Sequence, residues 1–294
     1  MPKAYLPLVA RLRDRFTCYG VDLRGHGDSP SGPGTDVLHH GEDVNKVVRS
    51  LGLQGAYAFG HCLGGMAAVQ AEIQQPGSFS QIICYEPILY HMNSHELGPD
   101  HIRWTAPALL KKVVARRQRY FASREDAFKK LSGKPPWNRF SRDAMEAYVE
   151  HAFRDVPVGV ELKGDPANEA DTMLWPPHLD PMHTVYPSLP EVKCPVSILA
   201  GTDVSATTPT EFIAHYIEDV VKEFPNARFE RLDGLQHLGP LEDPVRVADC
   251  IIAHAGQAPI QAVSSTPGSC SGLRKFPRLA VAQSHSPERM LSRL

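Results

Sequence analysis

The stretch Gly60-His61-Cys62-Leu63-Gly64 lies between a short apolar run that predicts a strand over residues 55–60 and a run that predicts a helix over residues 64–75. A strand that turns sharply into a helix holds the residue at the turn in a strained conformation, and we expect a Cβ on either flanking glycine to clash. Cys62 would then project from the start of a helix, where a thiolate is favoured. The backbone N–H of Leu63 would face a developing oxyanion. The pattern predicts a nucleophile elbow that carries sulfur in place of oxygen.

Alternating strands and helices extend on both sides of this turn. Strands are predicted over residues 16–22, 55–60, 81–86, 195–200 and 227–232, and helices over residues 3–14, 36–52, 64–75, 209–223 and 244–254. Near-continuous apolar strands separated by helices indicate a mostly parallel sheet covered by helices on both faces. Residues 92–190 form an insertion too long for a loop, and their helical patterns predict a lid over the site.

A histidine and two carboxylates complete the candidate site. His237 lies in a Gly-rich loop after the last predicted strand, and an imidazole there could take the thiol proton and return it to a leaving group. Asp203 follows the strand over residues 195–200, and Glu86 ends the strand over residues 81–86. Either carboxylate could accept the imidazole N–H and fix its tautomer. The sequence leaves the choice between them open.

Composition narrows the class of partner. The 294 residues carry a formal net charge of −2, which argues against a nucleic-acid partner. No apolar stretch reaches the roughly 18 residues of a membrane-spanning helix, and the N-terminal residues lack the apolar core of a signal peptide. The six cysteines form no C-x-x-C pair, and His91 and His95 lack the glutamate of a metalloprotease motif. We predict no metal and no cofactor, and a reducing compartment.

A basic run in the insertion has two interpretations. Its cations are Lys111, Lys112, Arg116, Arg117 and Arg119. They could form a solvated helix face, or they could contact a phosphate-bearing substrate such as a coenzyme A thioester. The sequence does not separate these interpretations.

Two motifs give the chain a resemblance to the α/β-hydrolase superfamily over most of residues 1–255. The superfamily turn D-x-R-G-x-G-x-S is matched by Asp22, Arg24, Gly25, Gly27 and Ser29. Its elbow, G-H-S-x-G-G, is matched by Gly60, His61, Gly64 and Gly65, with Cys62 at the serine position.

The resemblance implies a role for each candidate residue. Cys62 would be the nucleophile, His237 the general base, and the Leu63 N–H half of an oxyanion hole. Asp203 occupies the usual position of the orienting acid. Glu86 occupies the alternative position that some members use.

The chain departs from the superfamily pattern before residue 3. Members normally begin with two or three strands and a His-Gly loop that supplies a second oxyanion N–H, and these elements have no counterpart here. We therefore expect a gap between the predicted strands over residues 16–22 and 55–60. Two interpretations stay open: the chain is part of a longer gene product, or it is a degenerate relative with impaired catalysis that acts as a binding or accessory protein.

The C-terminal residues predict a location. Residues 256–294 are rich in Ser, Pro, Gly and Ala, which predicts a disordered tail that follows the hydrolase domain of residues 1–255. The tail ends in Ser292, Arg293 and Leu294, a conservative variant of the Ser-Lys-Leu peroxisomal address. We therefore expect the import receptor as a partner and the peroxisome as the location.

The lid that follows Tyr85-Glu86-Pro87, its segment 160–170 and the C-terminal tripeptide together resemble one fungal group. The group comprises peroxisomal hydrolases of secondary metabolism: those of host-selective toxin clusters in plant pathogens, the acyl-CoA hydrolase of mycophenolic acid synthesis and the yeast peroxisomal lipase. Members with the acid after the sixth strand match Glu86. The resemblance implies hydrolysis of an acyl-CoA thioester or ester during toxin or metabolite assembly. Lactone cleavage is the alternative, because other Cys-type α/β hydrolases open lactones.

Overall fold

The computed structural model describes residues 2–30, 39–89, 111–171, 185–203 and 217–257. The chain divides into two units, Met1–Ser264 and Ser265–Leu294, and every described residue belongs to the first. The predicted targeting tripeptide, the residues of the predicted tail beyond residue 257 and the histidines at positions 91 and 95 lie outside the described residues.

The described strands form two sheets. In chain order they are β1 (Ala56–His61), β2 (Phe79–Tyr85), β3 (Tyr120–Phe121), β4 (Phe153–Asp155), β5 (Val160–Leu162), β6 (Val196–Gly201) and β7 (Ala227–Leu232). The larger sheet has the order β1-β2-β6-β7, and all of its pairs are parallel. The smaller sheet has the order β3-β5-β4 and is antiparallel.

The described helices lie on both sides of the larger sheet and in the insertion. They are α1 (Leu6–Leu12), α2 (His40–Ser50), α3 (Leu63–Gln74), α4 (Arg124–Leu131), α5 (Arg142–Ala152), α6 (Pro166–Asp171), α7 (Gly239–Glu242) and α8 (Pro244–His254). Residues 111–115 and 217–221 are also helical. Short 3-10 helices span Pro2–Tyr5, Trp137–Arg139 and Tyr186–Glu191.

Burial on both faces explains the apolar strands at the centre of this sheet. Successive side chains of a strand point to opposite faces. In β2, Ile82 packs in a core with α2 and α3, whereas Ile83 packs in a second core with α1 and α8. Ile198 and Leu199 of β6 alternate in the same way. This arrangement confirms the predicted α/β-hydrolase fold, a mostly parallel sheet with helices on both faces.

The predicted strand over residues 16–22 is wrong, whereas the other four predicted strands are confirmed. Residues 16–22 carry no strand assignment, and Tyr19 is 57% exposed. A strand exists only when a neighbour completes its hydrogen-bond ladder. Within the described part of the chain, β1 pairs with β2 alone and stands at one end of the sheet order. The segment therefore has the composition of a strand without a partner.

The insertion was predicted to be a helical lid, and the described part also contains the antiparallel sheet. Phe121 and Phe153 meet edge to face with ring centroids 5.3 Å apart and pack with residues of α4 and α5 in a separate core. The sequence did not indicate these strands because two or three residues are too few to show an alternating pattern. No helix within the described ranges is long and apolar enough to cross a membrane.

Candidate active site

Cys62 occupies the turn between β1 and α3 with φ 54° and ψ −118°. Its backbone is held on both sides. The Cys62 N–H donates to the Tyr85 carbonyl (3.0 Å), and the Cys62 carbonyl accepts from the N–H groups of Gly65 (3.1 Å), Met66 (3.3 Å) and Ile88 (3.3 Å). These bonds fix the direction in which the thiol leaves the turn. Leu63 is the first residue of α3, so its N–H has no carbonyl partner within the helix.

Only one of the two glycines predicted to be required at this turn is sterically required. A Cβ at Gly60 would lie 2.4 Å from backbone atoms of Gly64, which confirms that expectation. A Cβ at Gly64 would meet nothing within 4 Å, so the expectation for Gly64 is wrong. The second crowded position is Gly65, where a Cβ would lie 2.9 Å from Pro87. The reason is that α3 packs against Pro87 through the residue after Gly64.

His237 and Glu86 are joined directly. The Nδ1–H of His237 donates to Glu86 Oε2 over 2.7 Å. The second oxygen of Glu86 accepts the Gly201 N–H at the end of β6 (2.9 Å), and the carboxylate is almost fully buried. The carboxylate is thereby held in one orientation, so it sets the tautomer of His237 and leaves Nε2 for the nucleophile.

The electrostatics of His237 reflect its two partners. Burial acts to lower the pKa of His237, but the negative charge of Cys62 and the hydrogen bonds to Cys62 and Glu86 outweigh burial and raise it to about 10. The arrangement therefore favours a protonated imidazole beside the sulfur.

Asp203, the other candidate acid, has a different partner. Its carboxylate lies 3.2 Å from the Arg139 guanidinium, at half-exposed positions of both side chains. Arg139 also donates to the Gly234 carbonyl (2.8 Å) and forms an ion pair with Glu242 (3.0 Å). Arg139 comes from the insertion, and nothing in the sequence singled it out. The structure therefore brings Glu86 to His237 and Asp203 to an arginine of the insertion.

Backbone strain is confined to the same place. Among non-glycine residues of the described chain, only Cys62 and Glu86 have positive φ, at 54° and 42°. Such conformations cost roughly 1–3 kcal/mol each and persist only when the surroundings impose them. Each residue directly follows a strand of the larger sheet, β1 or β2. The strain thus turns two side chains toward one histidine.

The remaining candidates lie elsewhere. In the basic run, Arg117 pairs with Glu169, and Arg119 lies 2.7 Å from Glu161 and 3.0 Å from Asp165. These two cations therefore form ion pairs within the insertion, and because they lie outside the helical residues 111–115 and are partly buried, the solvated helix face does not describe them. A cavity of about 320 Å³ lies between the Gly-rich turn and the insertion, and Cys62 and His237 are not among its lining residues. The described residues contain no cluster of three or more metal-ligating side chains.

Comparison with known proteins identifies the family of the chain. The model of the alpha/beta hydrolase family matches residues 2–250, so the chain belongs to that family. A curated relative, 2-(acetamidomethylene)succinate hydrolase of Mesorhizobium japonicum, is 30% identical over 168 residues, which are 56% of this chain and 55% of that protein. The chain thus matches about half the length of this relative.

Two solved structures share the fold. A structure of E-2-(acetamidomethylene)succinate hydrolase superposes with a TM-score of 0.68 at 22% identity and covers 86% of each chain. A peroxisomal α/β-hydrolase of Saccharomyces cerevisiae also gives a TM-score of 0.68, at 18% identity, over 89% of this chain and 76% of its own. At these identities the likeness concerns the fold.

Proposed function

We propose that this protein is a hydrolase that cleaves a carboxylic thioester or ester bond with Cys62 as the nucleophile. The observation that carries the proposal is the Cys62–His237–Glu86 arrangement: a cysteine in a strained conformation at a helix start, whose charge raises the pKa of His237, and a glutamate that orients this histidine over 2.7 Å. Nucleophile, base and orienting acid are the three parts that acyl transfer needs.

The chemistry follows from these positions. The Cys62 thiolate attacks the acyl carbon, and the Leu63 N–H stabilises the oxyanion as one half of the hole. His237 donates its proton to the departing thiol or alcohol, which leaves an acyl group on the sulfur. Water then attacks this thioester while His237 accepts its proton, and the collapse of the second oxyanion releases the acid and the Cys62 thiolate. Glu86 keeps the tautomer of His237 constant through both halves.

For the biological setting, we propose acyl-CoA thioesters or esters of fungal secondary metabolism, including toxin assembly, as substrates in the peroxisome. The support is the resemblance of the lid and tail described above, the Glu86 position, and the likeness in fold to the yeast peroxisomal hydrolase. The partner would be the peroxisomal import receptor, reached through Ser292, Arg293 and Leu294.

A second candidate substrate class comes from the curated relative. The M. japonicum protein is named for hydrolysis of 2-(acetamidomethylene)succinate, an amide that carries two carboxylates. The proposed Cys62 mechanism would accept an amide if His237 protonates the leaving nitrogen. A small dicarboxylate amide is therefore the competing substrate.

One assay panel separates these classes. The purified protein is tested with acyl-CoA thioesters, p-nitrophenyl esters, a γ-lactone and 2-(acetamidomethylene)succinate, and product acids are quantified by chromatography. We expect the highest kcat/KM for a thioester or ester. Faster turnover of the amide or the lactone would transfer the assignment to that class. If no compound of the panel is hydrolysed, the result would favour the interpretation of the chain as a binding or accessory protein with impaired catalysis.

Alkylation tests the nucleophile independently of substrate choice. Iodoacetamide should modify Cys62 faster than the exposed Cys18 at neutral pH, because a helix start and an adjacent imidazolium favour the thiolate. Peptide mapping follows both sites, and hydrolysis should be lost in step with modification of Cys62. Full turnover by protein alkylated at Cys62 would contradict the assignment.

The proposed location has its own test. An N-terminally tagged fluorescent protein should enter peroxisomes of a fungal host, and deletion of Ser292, Arg293 and Leu294 should leave it in the cytosol, because the receptor reads a free C-terminal tripeptide. Residues 256–294 fused to a neutral carrier provide the matched test of sufficiency. A carrier and a full-length protein that both stay cytosolic would remove the peroxisomal proposal.

A further inference from the structure

The loop that carries His237 has two consecutive backbone carbonyls, at Gln236 and His237, that accept hydrogen bonds from side chains. The two donor residues directly precede Cys62 and Glu86 in the sequence. The Nε2–H of His61 donates to the His237 carbonyl (2.7 Å), and the Tyr85 hydroxyl donates to the Gln236 carbonyl (2.7 Å). His61 and Tyr85 are the last residues of β1 and β2 and are paired in register. Their rings meet edge to face with centroids 5.8 Å apart. We call this pair the carbonyl clamp.

The tautomer of His61 is fixed by its partners. A carbonyl oxygen can only accept, so Nε2 must carry the proton of the neutral ring and Nδ1 must accept. The hydroxyl of Tyr5 lies 2.7 Å from Nδ1 and is the donor there. Burial and the nearby positive charge of His237 hold the pKa of His61 well below its usual range, so the ring stays neutral. Tyr5 therefore orients His61, and His61 holds the loop.

The clamp acts at short range on the histidine side chain. The His61 and His237 rings lie 4.9 Å apart between centroids. The first residue of α7, which follows the loop, also packs tightly on Tyr85, because a Cβ at Gly239 would lie 2.1 Å from the Tyr85 hydroxyl oxygen. With both carbonyls bound, the backbone of residues 236 and 237 cannot rotate without breaking a hydrogen bond. The direction of the His237 side chain follows from that backbone.

We propose that His61 and Tyr85 are positioning residues: the carbonyl clamp fixes the His237 loop relative to Cys62 and Glu86, and Tyr5 sets the tautomer of His61. The inference rests on the proposed function. The pairing of His61 with Tyr85 in the register of β1 and β2 explains how two side chains can position the loop. The same two strand ends that present Cys62 and Glu86 also hold the backbone of the residue that joins them, so all three groups share one rigid reference.

The main test replaces the His61 ring by one without nitrogen. The variant His61→Phe should lower kcat by roughly 10²-fold with KM nearly unchanged, because a small misplacement of a catalytic group has an effect of that order. His61→Gln keeps an N–H donor for the His237 carbonyl and should recover at least tenfold of the loss. Tyr57→Phe, on the same strand but exposed, is the matched control and should keep wild-type kcat.

Two milder variants decide the question if His61→Phe does not fold. Tyr5→Phe and Tyr85→Phe each remove one hydroxyl, and each should lower kcat by roughly threefold to tenfold, since one hydrogen bond is at stake. The proposal is overturned if both keep wild-type kcat. It is also overturned if a folded His61→Phe keeps wild-type kcat, if only KM changes, or if His61→Gln is no better than His61→Phe.

An assay without substrate keeps this inference apart from the proposed function. The rate of Cys62 alkylation by iodoacetamide depends on how well His237 stabilises the thiolate. Its pH profile should therefore shift to higher pH in His61→Phe and stay unchanged in Tyr57→Phe. A shift in a protein that hydrolyses no substrate would retain the clamp and remove the proposed function. An unshifted profile would remove the clamp.

Discussion

Two histidine–glutamate pairs in the described part of the chain have nearly equal hydrogen-bond lengths, but they differ in access and in backbone geometry. In the Cys62 network, His237 Nδ1–H donates to Glu86 over 2.7 Å. In a second network, which we call the Ser197 network, His254 Nε2–H donates to Glu230 over 2.6 Å. His254 Nδ1 lies 3.0 Å from the Ser197 hydroxyl. Both networks thus link a nucleophile-type side chain, an imidazole and a carboxylate.

Access and backbone geometry separate the two networks. Cys62 is partly exposed at a strained turn before a helix, whereas Ser197 has no exposed surface and lies within β6, paired on both sides. Gln81 also donates to the Ser197 hydroxyl (3.3 Å) and to the His254 carbonyl (3.0 Å). The Ser197 network therefore satisfies buried polar groups and fastens the end of α8 to the sheet. Hydrogen bonds among three such residues therefore do not by themselves indicate a candidate active site. The nucleophile-type residue must also be accessible and lie at the start of a helix.

The comparison predicts the largest difference for the two nucleophile-type residues. Cys62→Ala should lower kcat by about 10⁶-fold, because removal of a nucleophile has cost about that much in a comparable triad. Ser197→Ala should leave kcat unchanged and lower the free energy of unfolding by about 1–3 kcal/mol, since it removes a partner of two buried groups. Steady-state kinetics and urea unfolding of both variants measure this. A loss of activity in a fully folded Ser197→Ala variant would contradict the assignment of a structural role to the Ser197 network.

The two glutamates should differ next. Glu86→Gln should lower kcat by roughly 10³–10⁴-fold with folding intact, because an amide in that place favours the wrong histidine tautomer. Glu230→Gln keeps an acceptor for His254 and should change kcat little, with a melting temperature at most a few degrees lower. Kinetics and thermal unfolding of the pair give the measurement. Equal losses of kcat in both would mean that the networks are functionally alike.

The pH dependence of stability should follow from His237. Its pKa in the folded state is about 10, above the ordinary value of about 6.5. The stabilisation from its protonated form is therefore complete below about pH 6.5 and is lost as pH rises toward about 10. The difference in free energy of unfolding between wild type and His237→Gln should shrink over that interval.

Urea unfolding at several pH values measures that difference. Cys62→Ala supplies the control, because the charge of Cys62 is the largest influence that raises this pKa. In the Cys62→Ala background, the effect of His237→Gln on the free energy of unfolding should depend less on pH. If the difference in free energy of unfolding between wild type and His237→Gln grew with pH, its sign would be opposite to the prediction. That result would contradict an imidazolium beside Cys62.

Sequence reasoning succeeded where short-range sterics leave a motif. Glycine is required at position 60 because a Cβ there would lie 2.4 Å from backbone atoms of Gly64. Both glycines belong to the same pentapeptide, so this constraint can be recognised in the local sequence. The contact of His237 with Glu86 rather than with Asp203 could not be predicted from the sequence, because it depends on the φ of 42° at Glu86 and on an arginine from the insertion. Neither feature has a local pattern.

Longer-range features were missed for the same reason. The residues of the Ser197 network are scattered along the chain, and no motif joins them. The carbonyl clamp depends on the pairing of β1 with β2 and on a loop that returns from residue 236. The segment 16–22 has a strand composition, but a strand also requires a partner that composition does not supply.

Asp203 offers the finest discrimination, because it stands where this superfamily most often carries its acid. The structure gives the Nδ1–H of His237 to Glu86 and pairs Asp203 with Arg139 over 3.2 Å. Asp203→Asn should therefore change kcat by less than about threefold. Because both partners are half-exposed, the loss in free energy of unfolding should stay within about 1 kcal/mol. Arg139→Gln is the matched partner, and the double variant should show whether the two effects couple. A loss of kcat in Asp203→Asn as large as that in Glu86→Gln would make Asp203 the orienting acid and reduce Glu86 to a buried anchor of the β6 end.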